Sequence, residues 1–406
     1  MQEQSRYIVG IDVGTKNVRC VVGYRDTMGG SPKIIGVGAV KNTGMRKGVV
    51  TNLTGPAAAI DAVLEIVEKM SGHQVHNAVL SVNGSHIIST KADGMITVGT
   101  VNNEVTHDDV ERLEDVATTG KVPQNRDILD IVAHSYKLDG QDNIKDPIGM
   151  NGVRLEIKAN IVSGLSPHIA NLRKSAEMAK VEASAVIPSV LASAQAVLNE
   201  NQKENGVAVL DIGAATTGVA GFEEGDLQYL SVIPLGGQNV TNDLAIGLKT
   251  DPEIAETVKL AQARFGGEAL GVVDIKHEKK TYRFDQAEID EIVEARYEEI
   301  FEAVAKELKK AGRLGKLPSG VVLTGGGANV KNLAEFAKEQ LSVAAQVALP
   351  VGYTGVSEDV KKPEFAAAVG LMMIDSFNSA YGGGQKIHDI AHKTDGFLKK
   401  LLSRFK

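Results

Sequence analysis

The feature that most constrains this chain is a repeat. Residues 7–24, YIVGIDVGTKNVRCVVGY, read as a strand, a glycine turn at Asp12-Val13-Gly14-Thr15 and a second strand. Residues 207–222, VAVLDIGAATTGVAGF, repeat that pattern with Asp211 in the place of Asp12, a period near 200 residues. A hairpin sheet must bury a face against another layer. Ile60, Val63, Leu64 and Val67 supply helical spacing after the first copy, and the run after Asn242 does so after the second. The repeat therefore predicts two α/β lobes of similar build.

Two blocks break the symmetry. Residues 85–163 have no counterpart in the second half and read as a strand (95–98), a helix from Thr106 to Ala117 capped by Thr106 and Asp109, and strands at 128–137 and 153–162. Residues 236–319 end in a long helix, with Asp285 and Glu288 as a capping box and Ile289, Val293, Tyr297, Ile300, Val304 and Leu308 on one face. The most apolar stretches, 183–198 and 364–374, carry Pro188, Gln195 and many alanines, which suits helices packed inside a core. After Ile374 a polar, Gly382-Gly383-Gly384 tract reads as a tether. The last ten residues differ. At about 100° per residue, Phe397, Leu398, Leu401, Leu402 and Phe405 fall within roughly 140°, with Lys399, Lys400, Arg404 and Lys406 around the remainder, the pattern of a basic amphipathic helix.

Composition narrows the class. A chain of 406 residues with 43% hydrophobic and 23% charged residues is globular, and a net charge of -7 argues against general nucleic-acid binding. The one cysteine, Cys20, sits in an apolar strand, where it forms no internal disulfide and no metal cluster. His388 and His392, and likewise His73 and His76, lack further ligands nearby in sequence. The amino terminus has no signal-peptide pattern and no apolar run reaches the roughly 18 residues of a span, which predicts a cytoplasmic protein.

One Asp-x-Gly turn is only a hairpin turn; two in matching places describe a clamp. Backbone N–H groups of such turns form nests for phosphate oxygens, with Gly14, Thr15, Lys16 and Asn17 on one side and Gly213, Ala214, Ala215 and Thr216 on the other. Asp12 and Asp211 at the strand ends would face each other and hold Mg²⁺ through its waters. VVLTGGGANV (321–330) is a strand entering Gly325-Gly326-Gly327, bare backbone against which a planar base can lie, before a helix starting near Asn329. Gly236 and Gly237, with Glu256 and Lys259 three apart on a helix face, add a fourth piece that reaches a ribose or base, or forms a simple surface ion pair.

Together these motifs resemble the actin/Hsp70/hexokinase nucleotide fold. DPIGMNGVRLE (146–156), PSVLASAQAVL (188–198), GGQNVTNDLA, the Ala255–Lys259 element, LTGGGA (323–328) and the tail are similar to the bacterial cell-division FtsA family over nearly the whole length. The resemblance implies an α/β, two-lobed actin-like fold with duplicated ribonuclease-H-like cores, an inserted α+β subdomain and a C-terminal amphipathic helix. It divides the chain into 1–84, 164–195 and 364–375 (lobe one core), 85–163 (insert), 196–235 and 320–363 (lobe two core), 236–319 (lobe two subdomain), 376–395 (linker) and 396–406 (membrane helix). It further implies binding of ATP and Mg, head-to-tail self-association through the insert and capture of the C-terminal peptide of the tubulin-like FtsZ near Arg296. By the same resemblance the basic tail binds an anionic membrane, and the protein sits peripherally at the cytoplasmic face of the division site, recruiting later division proteins. Ala214 and Ala215 depart from the family's glycines and add two Cβ atoms where phosphate approaches; both must keep φ < 0. Gln195 resembles the actin residue that orients the attacking water, which allows slow hydrolysis at most. A small-molecule kinase or a chaperone-like ATPase of the same fold is the alternative.

Overall fold

The computed structural model describes residues 6–25, 30–99, 102–268, 271–355 and 358–381. The basic tail, the tether's Gly382-Gly383-Gly384 and the His388/His392 pair lie outside them. The first hairpin pairs β1 (Arg6–Val13) with β2 (Asn17–Arg25), and β3 (Lys33–Lys41) lies against β2. A small hairpin, β4 (Met45–Arg46) and β5 (Val49–Val50), leads to α1 (Thr54–Ser71), whose Ile60, Val63, Leu64 and Val67 are buried as their spacing requires. Strand β6 (Asn77–Val82) runs parallel to β1.

The insert follows. It comprises β7 (Ile88–Thr97), α2 (His107–Thr118), β8 (Arg126–Leu138), β9 (Gln141–Ile144) and β10 (Arg154–Leu165). Thr106 and Asp109 close the expected capping box on α2. The chain returns through α3 (Ser166–Met178), β11 (Glu182–Pro188), α4 (Ser189–Val197) and α5 (Glu200–Asn205). Lobe two has β12 (Val207–Ile212), β13 (Thr217–Glu223) and β14 (Asp226–Ile233), then α6 (Gly237–Gly247), α7 (Pro252–Gln262), the hairpin β15 (Val272–His277) and β16 (Lys280–Asp285), and α8 (Gln286–Lys310). It closes with β17 (Val321–Thr324), α9 (Leu333–Leu341) and β18 (Ala345–Val347), and α10 (Ala366–Tyr381) crosses back to lobe one.

The duplication holds in topology. Lobe one's sheet has the order β11-β6-β1-β2-β3, and the corresponding part of the second has β18-β17-β12-β13-β14, so each hairpin stands third and fourth in an equivalent array. Alternation along β12 sorts its neighbours: Val207 and Val209 join the core shared with lobe one, while Ala208, Leu210 and Ile212 join the core under α8. Between the lobes lie α4 and α10, crossing backbone to backbone. A Cβ added at Gly370 of α10 would stand 1.7 Å from the Ala192 carbonyl oxygen of α4, and one at Gly10 of β1 would stand 2.4 Å from the Ala368 carbonyl oxygen.

Several expectations are corrected. Residues 183–188 are strand rather than helix, because Pro188 forms the corner at which β11 becomes α4. Asp285 caps α8 by accepting from the Ala287 N–H, without a reciprocal box from Glu288. The helix after the triple glycine starts at Leu333, a 3₁₀ turn over Gly326–Asn329 intervening. Helix α10 runs to Tyr381, past the expected start of the linker at 376. The insert enters and leaves through lobe one, as expected, and is in addition hydrogen-bonded into lobe two's sheet: β7 pairs with β14 at Ser231 and Ile88, making nine continuous strands among the described residues. The buried Asn160 amide donates to the Leu227 and Gln228 carbonyls, and Lys145 pairs with Asp226 at 2.7 Å.

Ala is worth about 1 kcal/mol more than Gly in an exposed helix interior, so the sign of one substitution tests the crossing. Gly370→Ala is expected to lower unfolding free energy by about 1 to 3 kcal/mol, the cost of overpacking, read by chemical denaturation; a stabilised variant would contradict it.

Candidate functional site

Both hairpin turns open into one cleft of about 880 Å³, within the range of small-molecule sites. The first turn is anchored from lobe one. Gly14 N–H donates to the Asn17 carbonyl at 3.1 Å, the Asn42 amide holds the Gly14 carbonyl at 2.7 Å, and Thr15 Oγ1 accepts from Gly48 N–H at 3.0 Å. The second turn is anchored from α6: Gly237 and Gln238 N–H groups donate to the Gly213 and Ala214 carbonyls. Ala214 and Ala215 both line the cleft and neither has positive φ, which meets the condition set by the departure from glycine.

The predicted residues converge. Asp12, Gly14, Thr15, Lys16, Asn17, Asp211, Gly213, Thr216, Gly237, Glu256, Lys259, Gly325, Gly326, Gly327 and Asn329 all line this cavity. Gly236 does not. A Cβ there would meet the Gly213 carbonyl oxygen at 2.6 Å, so its bareness seats the start of α6 on the second turn. Within the triple glycine, Gly325 has φ +83° and its Cβ would strike Asp211 Oδ1 at 2.4 Å, while Gly327 packs on Ile212. Only Glu364 Cβ, at 3.7 Å, stands near the missing Cβ of Gly326. The buried Tyr297 hydroxyl donates to the Gly327 carbonyl at 2.7 Å and ties this loop to α8.

At the floor stand the two aspartates. Ser81 Oγ donates to Asp12 Oδ1 at 2.8 Å, and Ser193 Oγ of α4 donates to Asp211 Oδ2 at 2.8 Å. Burial raises the proton affinity of Asp12 against the opposing effects of Arg19 and Ser81. Burial, and then the charge of Asp12, push Asp211 up to about 6. Arg19 also lines the cleft, with a guanidinium nitrogen 4.0 Å from Asp12 and a buried Nε without a partner. Sequence reading passed over Arg19, Ser81 and Ser193. The hairpin register gives a signal for Arg19, since Asp12 and Arg19 are cross-strand partners and share a sheet face.

Glu256 on α7 is a hub. Its Oε2 accepts from Thr241 Oγ1 at 2.5 Å and from Lys259 at 2.8 Å, and Lys259 also reaches the Gly237 carbonyl at 3.0 Å. Its Oε1 takes Lys16 from the opposite lobe at 2.5 Å. Burial opposes ionisation here, but Lys259 and the hydrogen bonds from Lys16 and Thr241 outweigh it and bring the carboxyl down to about 2. Glu256 and Lys259 are thus more than a surface pair.

Other expected residues lie elsewhere. Gln195 is on α4, two residues past Ser193, and is not among the cleft-lining residues; Ser189 at the start of α4 lines it instead. Arg296 of α8 is held by Asp243 of α6 and by Glu299, and Ile246, also on α6, is exposed. His73 stacks on Tyr7 at 3.7 Å, and among the described residues no cluster of three or more His, Cys, Asp or Glu is arranged around a metal position. Cys20 is buried, as expected. Among the described residues no helix is long and apolar enough to cross a membrane.

Comparison with known proteins agrees with this geometry. A family model described as "Cell division protein FtsA" matches residues 208–370, and one described as "SHS2 domain inserted in FTSA" matches 84–163. The chain is 32% identical to the cell division protein FtsA of Pseudomonas aeruginosa over 410 residues, covering all of this chain and 97% of that one. It is 34% identical to the Bacillus subtilis FtsA, covering 92% and 84%. Among solved structures it superposes on the PilM-PilN type IV pilus biogenesis complex (TM-score 0.66, 16% identity, 91% and 98% covered) and on MreB5 of Spiroplasma citri bound to ADP (TM-score 0.55, 13% identity, 93% and 99% covered). These likenesses show an actin-like fold.

The carboxylates at the floor carry a stability cost with a definite sign. A carboxyl whose proton affinity is raised in the folded state contributes stability below its ordinary range near 3.8, lost as pH rises through about 6. Asp211→Asn is therefore expected to be more stable than wild type at pH 8 by about 1 to 3 kcal/mol, at about 1.4 kcal/mol per unit, and nearly equal to it at pH 4. Thermal unfolding across that range checks it, and a variant destabilised at pH 8 would refute the assignment.

Proposed function

The chain belongs to the FtsA family of cell division proteins, and on that premise we propose that it is an ATP-binding, self-associating adaptor that ties FtsZ filaments to the membrane. The observation that carries nucleotide binding is the convergence of two anchored phosphate turns and a bare-backbone glycine loop on one cleft. The phosphates lie between the turns, near the unpartnered Nε of Arg19; the base lies along Gly325-Gly326-Gly327, and Glu256 with Lys259 faces the ribose. Two neighbours of the same fold, MreB5 of Spiroplasma citri bound to ADP and bound to AMPPNP, favour the same ligand.

The floor fits Mg²⁺. Two carboxylates set close enough for Asp12 to raise the proton affinity of Asp211 supply the hard oxygen donors this cation takes. Asp12 and Asp211 would hold it, and it would neutralise phosphate charge there. Ser81 and Ser193 keep the carboxylates aimed, so the chain's own residues orient and neutralise. Gln195, on α4, stands outside the residues that line the cleft, and hydrolysis in this reading is slow at most.

Partners follow from the family. The insert presents exposed Met95, Val116 and Val153 to a second copy, and the α6–α8 face with Ile246 and Arg296 takes the FtsZ peptide. The tail of residues 386–406 has six Lys or Arg against two Asp, a net +4 that suits an anionic cytoplasmic leaflet at the division site, where later division proteins would be gathered. One tail holds weakly, so many tails on a polymer bind by avidity.

Titration calorimetry tests the cleft: Asp12→Ala, Asp211→Ala and Gly326→Val are each expected to weaken Mg-ATP binding at least tenfold, and unaltered affinity in all three would refute it. Vesicle co-sedimentation tests the tail. Leu401→Glu with Phe405→Glu should abolish sedimentation with anionic vesicles while leaving ATP binding intact; wild-type sedimentation would show that another surface holds the membrane.

A further inference from the structure

We propose that Lys41 sets the preference of the cleft for a nucleoside triphosphate over a diphosphate, its ammonium meeting the terminal phosphate. The inference rests on the reading of the cleft as an ATP site and adds which part of that ligand the site tells apart.

Five lysine or arginine side chains line the cavity: Lys16, Arg19, Lys41, Lys259 and Lys331. Three of them stand beside carboxylates. Lys16 and Lys259 share Glu256, at 2.5 and 2.8 Å, and Arg19 is 4.0 Å from Asp12. Among the described residues neither Lys41 nor Lys331 has an ion pair, and both are exposed.

These two lysines belong to opposite ends of the site. Lys331 follows the triple glycine in lobe two, where its carbonyl accepts from Phe265 N–H. Lys41 closes β3 in lobe one and is the cross-strand partner of Asn17, in the first phosphate turn. Cross-strand partners share a sheet face, and alternate residues of one strand do as well. Asp12 pairs with Arg19 and Asn17 pairs with Lys41, so all four point to one side of the sheet. The backbone beneath is pinned to the turn. Asn42 gives its N–H to the Lys16 carbonyl at 2.8 Å and its side-chain amide to the Gly14 carbonyl at 2.7 Å. Lys41 is therefore an uncommitted charge on a rooted stem beside the phosphate nest.

The course of the ligand decides which phosphate it meets. A base along Gly325-Gly326-Gly327 and a ribose facing Glu256 and Lys259 begin the nucleotide in lobe two. The phosphates then run toward the first turn, and the last of them comes nearest Lys41. A diphosphate ends one group earlier. Ammonium is a compact point charge on a flexible stem, suited to a phosphate that carries its charge at the end of a chain. Lys16 and Arg19, also near that turn, already have Glu256 and Asp12 beside them, which leaves Lys41 as the unbalanced cation there.

Titration calorimetry of the full chain with Mg-ATP and with Mg-ADP tests the assignment. Wild type should bind Mg-ATP the more tightly. Lys41→Gln is expected to weaken Mg-ATP binding roughly three- to tenfold and Mg-ADP binding less than about twofold, the scale of one partly exposed charged contact. Lys41→Arg keeps the charge and should hold the ratio of the two affinities within about twofold of wild type. Lys331→Gln removes the same charge from the other end of the cavity and should leave that ratio unmoved. An unchanged ratio in Lys41→Gln, an equal loss of both nucleotides, or a wild type without preference would each overturn the role of Lys41. So would an equal fall in the ratio on Lys331→Gln, since the net charge of the cavity would then be the cause. Wild-type protein that bound neither nucleotide would instead refute the ATP reading itself.

Discussion

The crossing of α4 and α10 is the contact on which the rest depends. Gly370 lies against Ala192 so closely that no side-chain atom fits between the helices, and Gly10 lets α10 press on β1 in the same way. On the other side Gly218 of β13 admits Val190 of α4, a Cβ there standing 2.7 Å from it. The two hairpins that bear Asp12 and Asp211 therefore approach a shared helix pair through missing side chains. Moving the helices apart by the width of a methyl group would separate the carboxylates and widen the phosphate clamp, so the packing of the centre sets the geometry of the floor.

That floor is built against its own stability. Burial raises the proton affinity of Asp12, and burial with the charge of Asp12 raises that of Asp211, whereas Glu256, a short distance up the cleft, is brought down to about 2 by two lysines and a hydroxyl. Groups with opposed tendencies in one cavity mark it as a place where charge is received. The floor has carboxylates short of a cation, and the rim has cations already committed to a carboxylate. A ligand that brings both a metal and phosphates answers both at once, and one that brought either alone would leave the other set of charges as it was.

Much of this was legible because it rests on local pattern. The Asp-x-Gly repeat gave two lobes with the same strand order, and 3.6-residue spacing gave the buried faces of α1 and α8. What was not legible depended on neighbours far along the chain. Nothing in the alternation of β7 says that Ile88 will pair with Ser231, since periodicity assigns a face and not a partner. Gln195 was placed by its resemblance to the actin residue and its distance before the second hairpin, and neither says which side chains of α4 reach the cleft; Ser189 of that helix lines it. Gly236 was read as a ligand contact because sequence cannot tell a glycine bared for phosphate from one bared for α6.

The attachment of the insert constrains how the cleft opens. Its chain enters and leaves through lobe one, where Arg126 clasps the two crossings by bonding the His86 and Ser163 carbonyls, yet its sheet continues lobe two's. If the lobes separate, either the β7–β14 junction shears or the crossings flex. Shear would strand the Asn160 amide, 1% exposed, from the Leu227 and Gln228 carbonyls, and an unsatisfied buried polar group costs about 1 to 3 kcal/mol. The junction therefore resists shear, and any separation of the lobes has to be taken up at the two crossings that Arg126 holds.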